Sequence, residues 1–122
     1  MKRIVSAAAA LVMLTAFGAV AGAAGEQASV TVKGEIVDLA CYLGHGARGE
    51  GHRMCAQTCL KNGEPMGLLT SDGTVYLLMA PHDDATAFEQ AKTLAADQVQ
   101  VTGPVAEKAG IKAISVTQVK KL

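Results

Sequence analysis

The chain has 122 residues, half of them hydrophobic, with eleven basic and eleven acidic side chains. This length is typical of one domain. If Lys2 and Arg3 leave with an N-terminal signal, nine basic residues remain against eleven acidic ones. The remaining chain is slightly acidic, and its aromatic residues are Tyr42, Tyr76 and Phe88. It therefore lacks the positive charge and the stacking rings that binding to nucleic acid or to anionic lipid requires.

The N-terminal segment has the pattern of a secretory signal peptide. Lys2 and Arg3 precede an apolar run over residues 4–20, and small residues follow it. A charged region, a hydrophobic region and a small-residue cleavage site occur in this order in export signals. We therefore predict a signal peptide over residues 1–24, a mature domain over residues 25–122, and a periplasmic or secreted location without a membrane anchor. An uncleaved anchor is the alternative.

In the mature part, the period of the apolar residues and the positions of the turn residues predict five strands and two helices. In chain order these are a bent strand over 29–39, a glycine-rich loop over 44–53, a short helix over 52–61, strands over 66–70 and 74–79, a helix over 83–96, and strands over 98–105 and 111–119. Asp72-Gly73 between two apolar runs indicates a hairpin turn. The adjacent Ile36 and Val37 break the alternation of the first strand and indicate a bend near Gly34.

A weak internal repeat supports a barrel. Residues 30–38 and 99–107 share the pattern V-x-V-x-G-x-[I/V]-x-[D/E], which we interpret as two strands with equivalent bends. The β-β-β-α-β-β order over residues 28–120 resembles the OB-fold, a five-stranded, partly open Greek-key barrel. We therefore predict a mainly β fold, a small OB-like five-stranded barrel with one helix. A Cys/His-bearing loop and a short helix follow its first strand.

The cysteines carry the most specific chemical signal. The chain has three of them, Cys41, Cys55 and Cys59, and an odd number in an exported protein leaves at least one thiol unexplained by disulfides. On a helix, His52, Cys55 and Cys59 would fall within about 60° of one another. Together with Cys41 they make a Cys₃His set, which is typical of zinc and also suits copper, especially Cu(I). We predict one zinc or copper ion bound by Cys41, His52, Cys55 and Cys59, in a structural or metal-handling role.

Other interpretations remain open at this point. A disulfide from Cys41 to Cys55 or Cys59 would staple the loop to the barrel of a periplasmic interaction module, whose protein partner the sequence does not identify. The same disulfide could form when the metal is absent. A thiol-redox component with one low-pKa cysteine is the third interpretation. His45 is an alternative ligand to His52. No hydrolase triad or nucleotide-binding loop is present, so an enzyme is the less favoured class.

Several short motifs resemble those of small exported bacterial proteins. They are Cys41-Tyr42, the H-x-x-C-x-x-x-C segment from His52 to Cys59, Gly63 to Leu68, and Asp72 to Leu77. The resemblance implies export together with an OB-like fold, and it implies no particular activity.

Overall fold

The structure, a computed structural model, describes residues 27–122, so the predicted signal peptide over residues 1–24 lies outside the described residues. The elements in chain order are β1 Ser29–Asp38, α1 Leu39–His45, α2 Arg53–Lys61, β2 Met66–Leu69, β3 Val75–Met79, α3 Thr86–Thr93, β4 Gln98–Lys108, β5 Ile111–Ser115 and β6 Gln118–Lys121. A short 3₁₀ turn, Glu50–His52, precedes α2. Residues 39–65, which join the first two strands, are called the β1–β2 connection below.

Five strands close into a barrel. The strands pair in the order β1-β2-β3-β5-β4, and β4 pairs again with β1. All of these pairings are antiparallel except that of β3 with β5, which is parallel. The sixth strand, β6, extends the sheet beside β4. The predicted OB-like five-stranded barrel is therefore confirmed.

Two bent strands close the barrel, and each carries the glycine of the internal repeat. β1 pairs with β4 through residue 35 and with β2 from residue 35 onward. A Cβ atom at Gly34 would lie 2.5 Å from the carbonyl oxygen of Leu69, and one at Gly103 would lie 1.8 Å from that of Ser115. Only glycine permits such a close approach of two backbones. The repeat thus marks the two points where a bent strand changes partners.

The barrel interior is filled by apolar side chains. Fully buried members from the strands include Ile36, Leu68, Val99, Val101 and Ile114. Helices α2 and α3 pack against the same cluster through Ala56, Leu60 and Ala91. Because α2 belongs to this core, the β1–β2 connection is attached to the barrel by apolar packing as well as by the chain.

The predicted boundaries of the first and the last strand are wrong. The first strand ends at Asp38, and α1 forms where the strand was expected to continue. Leu39, the first residue of α1, fits closely over Gly67 of β2, where a Cβ atom would lie 2.5 Å from the Leu39 side chain. The predicted strand over 111–119 divides into β5 and β6 because its partner β4 bends at Gly103: β5 pairs with β4 beyond the bend and β6 before it.

The helices are all short. The predicted helix over 83–96 is reduced to α3, Thr86–Thr93. Among the described residues, no helix combines the length and the hydropathy needed to cross a membrane.

Candidate metal site

Helix α1 brings Cys41 to the end of β1. Asp38, the last residue of β1, caps this helix, and its Oδ1 accepts a hydrogen bond from the Ala40 N–H at 2.9 Å. The Leu39 N–H donates to the carbonyl oxygen of Pro65 at 2.9 Å, and the Leu39 side chain is buried. A capping carboxylate satisfies a backbone donor that the start of a helix leaves unpaired. Cys41 is therefore held one helical turn beyond a buried carboxylate.

A buried glutamate ties the glycine-rich loop to the barrel. Gly46 ends α1 with φ at +70°, and Gly49 has φ at +77°, a left-handed backbone that favours glycine. The Gly49 N–H donates to Oε1 of Glu35, which is buried on β1. The 3₁₀ turn follows at once, so the anchored loop delivers His52 close to the end of β1.

Helix α2 is held in place by contacts that do not involve its cysteines. Ala56 and Leu60 are buried in the core. The Arg53 guanidinium donates to the carbonyl oxygen of Ala95 at 2.9 Å and to Oδ1 of the buried Asp97 at 2.9 Å. Hydrogen bonds between ionised groups are strong and geometrically specific. The positions of the two cysteines of α2 are therefore set by the packing and ion pairing of the helix.

The three thiols converge between α1 and α2. The Sγ atoms of Cys41, Cys55 and Cys59 lie within 4.8 Å of one another. All the cysteines of the chain fall within residues 27–122, and the thiols are free there, so the structure contains no disulfide staple. A tetrahedral ion with metal–sulfur bonds of about 2.3 Å holds its sulfurs about 3.8 Å apart, so shifts of about 1 Å or less would suffice. The three thiols are close enough to hold a metal ion.

A second group of ligand atoms shares Cys41. The Asp38 carboxylate, the Cys41 Sγ and a ring nitrogen of His52 also lie within 4.8 Å of one another. Within the described residues, Asp38 Oδ2 and His52 Nε2 are both buried, and neither has a hydrogen-bond partner. Buried polar atoms are rarely left unpaired, because each costs about 1–3 kcal/mol. A cation bound by this second group would be a partner for the Asp38 carboxylate and the His52 imidazole.

The Asp38 carboxylate and the nearby thiols influence each other's ionisation. Burial raises the pKa of Asp38, but hydrogen bonds from the Cys41 thiol, the Ala40 N–H and the Cys59 thiol outweigh burial and lower it below its usual value. In return, the hydrogen bond to Asp38, followed by burial, raises the pKa of Cys41 to about 12. Burial, followed by the hydrogen bond to Asp38, also raises the pKa of Cys59. These thiol contacts are weak because S–H is a poor donor. Among residues 27–122, no group makes a hydrogen bond of ordinary length and angle with Oδ2 of Asp38.

These shifts bear on the alternatives that the sequence leaves open. A nucleophilic redox cysteine has a lowered pKa, whereas the pKa values of Cys41 and Cys59 are raised. Neither thiol therefore has the electrostatics of a thiol-redox centre. A bound cation reverses this situation, since a coordinating thiol loses its proton outright.

The predicted ligands fall into two groups that share Cys41. The three cysteines form one group, and His52 joins Cys41 and Asp38 in the other. His52 lies in the turn before α2, whereas its predicted place is in the helix. Among the described residues, the alternative ligand His45 belongs to neither group, and it is exposed at the end of α1.

Sequence reasoning missed Asp38. In a strand predicted to continue to Leu39, an aspartate is an ordinary polar strand residue. The signal that could have found it is the spacing D-x-x-C, because aspartate is a preferred N-cap residue. A helix that starts at Asp38 places the carboxylate and the Cys41 thiol one turn apart.

The fold and the site together define a small OB-like barrel whose β1–β2 connection gathers three thiols and an imidazole close to a buried carboxylate at the end of β1. Comparisons with protein-family models, with curated proteins and with solved structures each find no match. The chemistry of these side chains is therefore the basis for a functional assignment.

Proposed function

We propose that the protein is exported and binds one transition-metal ion, zinc or copper, between α1 and α2. The proposed ligands are Cys41, His52, Cys55 and Cys59. The observation that carries the proposal is the position of His52: one of its ring nitrogens lies within 4.8 Å of the Cys41 thiol, which is itself grouped with two other thiols, and among residues 27–122 its Nε2 is buried without a partner. Export is proposed from the charged and apolar pattern of residues 1–24.

The donor set favours a soft or borderline ion. Calcium and magnesium take oxygen ligands almost exclusively, whereas three thiols and one imidazole match zinc and Cu(I). The described part of the chain contributes one buried carboxylate to this cluster, Asp38. One carboxylate is too few for a hard-cation site.

Asp38 would support the site from beside the ligands. Its Oδ1 already orients the first turn of α1 through the Ala40 N–H, and its buried negative charge offsets the charge of a cation close to Cys41. Groups that orient or polarise direct ligands in this way change metal affinity by about 10–100-fold. The carboxylate therefore contributes to affinity whether or not Oδ2 bonds to the ion directly.

Zinc and copper differ in their need for His52. A tetrahedral zinc site requires four ligands, and the imidazole completes a Cys₃His set. Cu(I) prefers sulfur, and three thiols are present without the imidazole. Loss of His52 should therefore weaken zinc binding strongly and Cu(I) binding much less.

Native mass spectrometry of the exported protein, purified without added metal, tests the proposal. We expect a mass equal to the chain without residues 1–24 plus one zinc or copper ion. Cys41→Ser, Cys59→Ser and, for zinc, His52→Ala should lose the ion. His45→Ala is the matched control, because this exposed histidine lies outside both ligand groups, and it should keep the ion. Retention of one ion by both cysteine variants would contradict the proposed site.

A further inference from the structure

We propose that the ion is exchanged with soft-donor molecules, and that Cys55 is the ligand through which it enters and leaves. The acceptor or donor would be a molecule that offers a thiol sulfur. This inference rests on the proposed function and decides between its two roles, since it assigns the site to metal handling rather than to support of the fold.

The ligands differ in their access to solvent. Asp38 is 1% exposed, Cys41 and Cys59 are half-buried, and Cys55 is exposed. Two of the thiols are therefore shielded, while the third lies at the surface within 4.8 Å of both. An incoming sulfur can reach the ion from the side of Cys55.

The elements that carry the site are held in place by contacts that involve no ion. The barrel is closed by its own strand pairings, and α2 is fixed by its buried residues Ala56 and Leu60 and by the hydrogen bonds of Arg53. Small domains held together by a structural zinc ion unfold without their metal. In the present site, one proposed ligand, Cys55, is exposed to solvent, and the scaffold has its own core. This arrangement suits an ion that is bound and released while the protein stays folded.

The exchange is a ligand substitution without oxidation or reduction. The sulfur of the incoming thiol forms a bond to the ion as the bond from Cys55 Sγ to the ion breaks. The proton lost by the incoming thiol is taken up by Cys55, and the ion keeps its charge. Cys41 and Cys59 hold the ion during this step, and uptake follows the same path in reverse.

Release kinetics of the metal-loaded protein test this mechanism. N-acetylcysteine serves as the incoming thiol, and a chromogenic chelator in small amount reports the freed ion: 4-(2-pyridylazo)resorcinol for zinc or bathocuproine disulfonate for Cu(I). In the wild-type protein, the release rate should rise in proportion to the N-acetylcysteine concentration. N-acetylserine, which has a hydroxyl in place of the thiol, should not accelerate release. A rate independent of the thiol concentration would overturn the proposal without any variant being made.

Two serine variants on the same helix make a matched pair. Cys55→Ser should bind the ion at least about tenfold more weakly, through faster release, because no thiolate has to leave. Cys59→Ser should bind at least about a hundredfold more weakly, since even indirect partners contribute about 10–100-fold. Equal loss of the ion from both variants, with wild-type circular dichroism, would contradict the special role of Cys55. If the wild-type protein takes up no ion, the proposed function itself is wrong, and this outcome is distinct from the others.

Discussion

The barrel and the β1–β2 connection differ in how their buried polar groups are paired. In the barrel, backbone groups pair along closed ladders, and the interior is apolar. At the connection, two side-chain atoms are buried without a partner in the described chain, Oδ2 of Asp38, which precedes it, and Nε2 of His52, which lies in it. Because unpaired buried polar atoms destabilise a fold, a bound partner at this place would stabilise the protein.

This difference indicates that the barrel and the connection have separate roles. The barrel provides stability through strand pairing and its core. This stability offsets the cost of the unpaired polar atoms at its edge. The connection provides the candidate metal ligands, and it is anchored by the buried Ala56 and Leu60 and by polar contacts such as those of Glu35 and Arg53. Changes in the barrel should therefore affect folding, and changes of the ligand side chains in the connection should affect mainly metal binding.

The largest effect is expected where two barrel backbones meet. In Gly103→Ala, the new Cβ would lie 1.8 Å from the Ser115 carbonyl oxygen, so strand β4 must shift. Overpacking typically costs about 1–3 kcal/mol, and a clash with the backbone puts this variant at the upper end of that range, with failure to fold as the extreme result. Urea unfolding followed by circular dichroism measures the free energy of unfolding.

The control for this prediction lies in the connection. From residue 27 onward, no atom lies within 4 Å of a Cβ built at Gly44 in α1. Alanine is favoured over glycine inside a helix by about 1 kcal/mol, so Gly44→Ala should be neutral or slightly stabilising. A similar loss of stability in both variants would show that the barrel and the connection are not separable in this way.

The barrel could be predicted from the sequence because its constraints are local in the chain. The shared V-x-V-x-G pattern predicts the bends of β1 and β4, since a close backbone approach leaves a glycine at the bend. Asp72-Gly73 predicts the turn between β2 and β3 for a similar reason: its backbone requires φ at +87° at Gly73. Such requirements are visible residue by residue.

The sequence gives little sign of helix α1 beyond its N-cap residue Asp38, because the helix depends on contacts distant in sequence. The helix has only seven residues and contains Gly44, so its intrinsic propensity is low. It forms because Leu39 fits over Gly67 and because the Leu39 N–H finds the carbonyl oxygen of Pro65. Neither contact leaves a pattern near Cys41, and the carboxylate beside the thiols was therefore overlooked.

Addition of the ion should stabilise the protein by a smaller amount. A ligand that binds only the folded state adds about 2.7 kcal/mol when its free concentration is a hundredfold above Kd. We expect zinc or Cu(I) to raise the Tm of the wild-type protein, and a chelator to reverse the change without loss of the β-type circular dichroism signal. Cys59→Ser should show no such rise. Unfolding of the barrel on chelation would contradict the division between scaffold and site.

The smallest effect concerns the ion pair that joins the two regions. Asp97 accepts a hydrogen bond from Arg53 of α2 and pairs with Lys121 of β6 at 2.9 Å. The hydrogen bond from Arg53 is the main cause that lowers the pKa of Asp97 below 3.8, and the hydrogen bond from Lys121 lowers it further. Burial acts in the opposite direction. Asp97→Asn should therefore lose about 2 kcal/mol of unfolding free energy at neutral pH, the range for a charged hydrogen bond.

The pH dependence of this loss follows from the direction of the shift. A carboxylate with a lowered pKa in the folded state contributes its full stability above its unfolded pKa, here 3.8, and loses it as the pH falls through the folded pKa. The difference in unfolding free energy between wild type and Asp97→Asn should be constant near pH 7 and shrink below about pH 4. Urea unfolding at both pH values measures it. A difference that stays the same at low pH would mean that the ionised carboxylate does not hold α2 against the barrel, and that apolar packing and the hydrogen bond from Arg53 to the Ala95 carbonyl oxygen set the positions of Cys55 and Cys59.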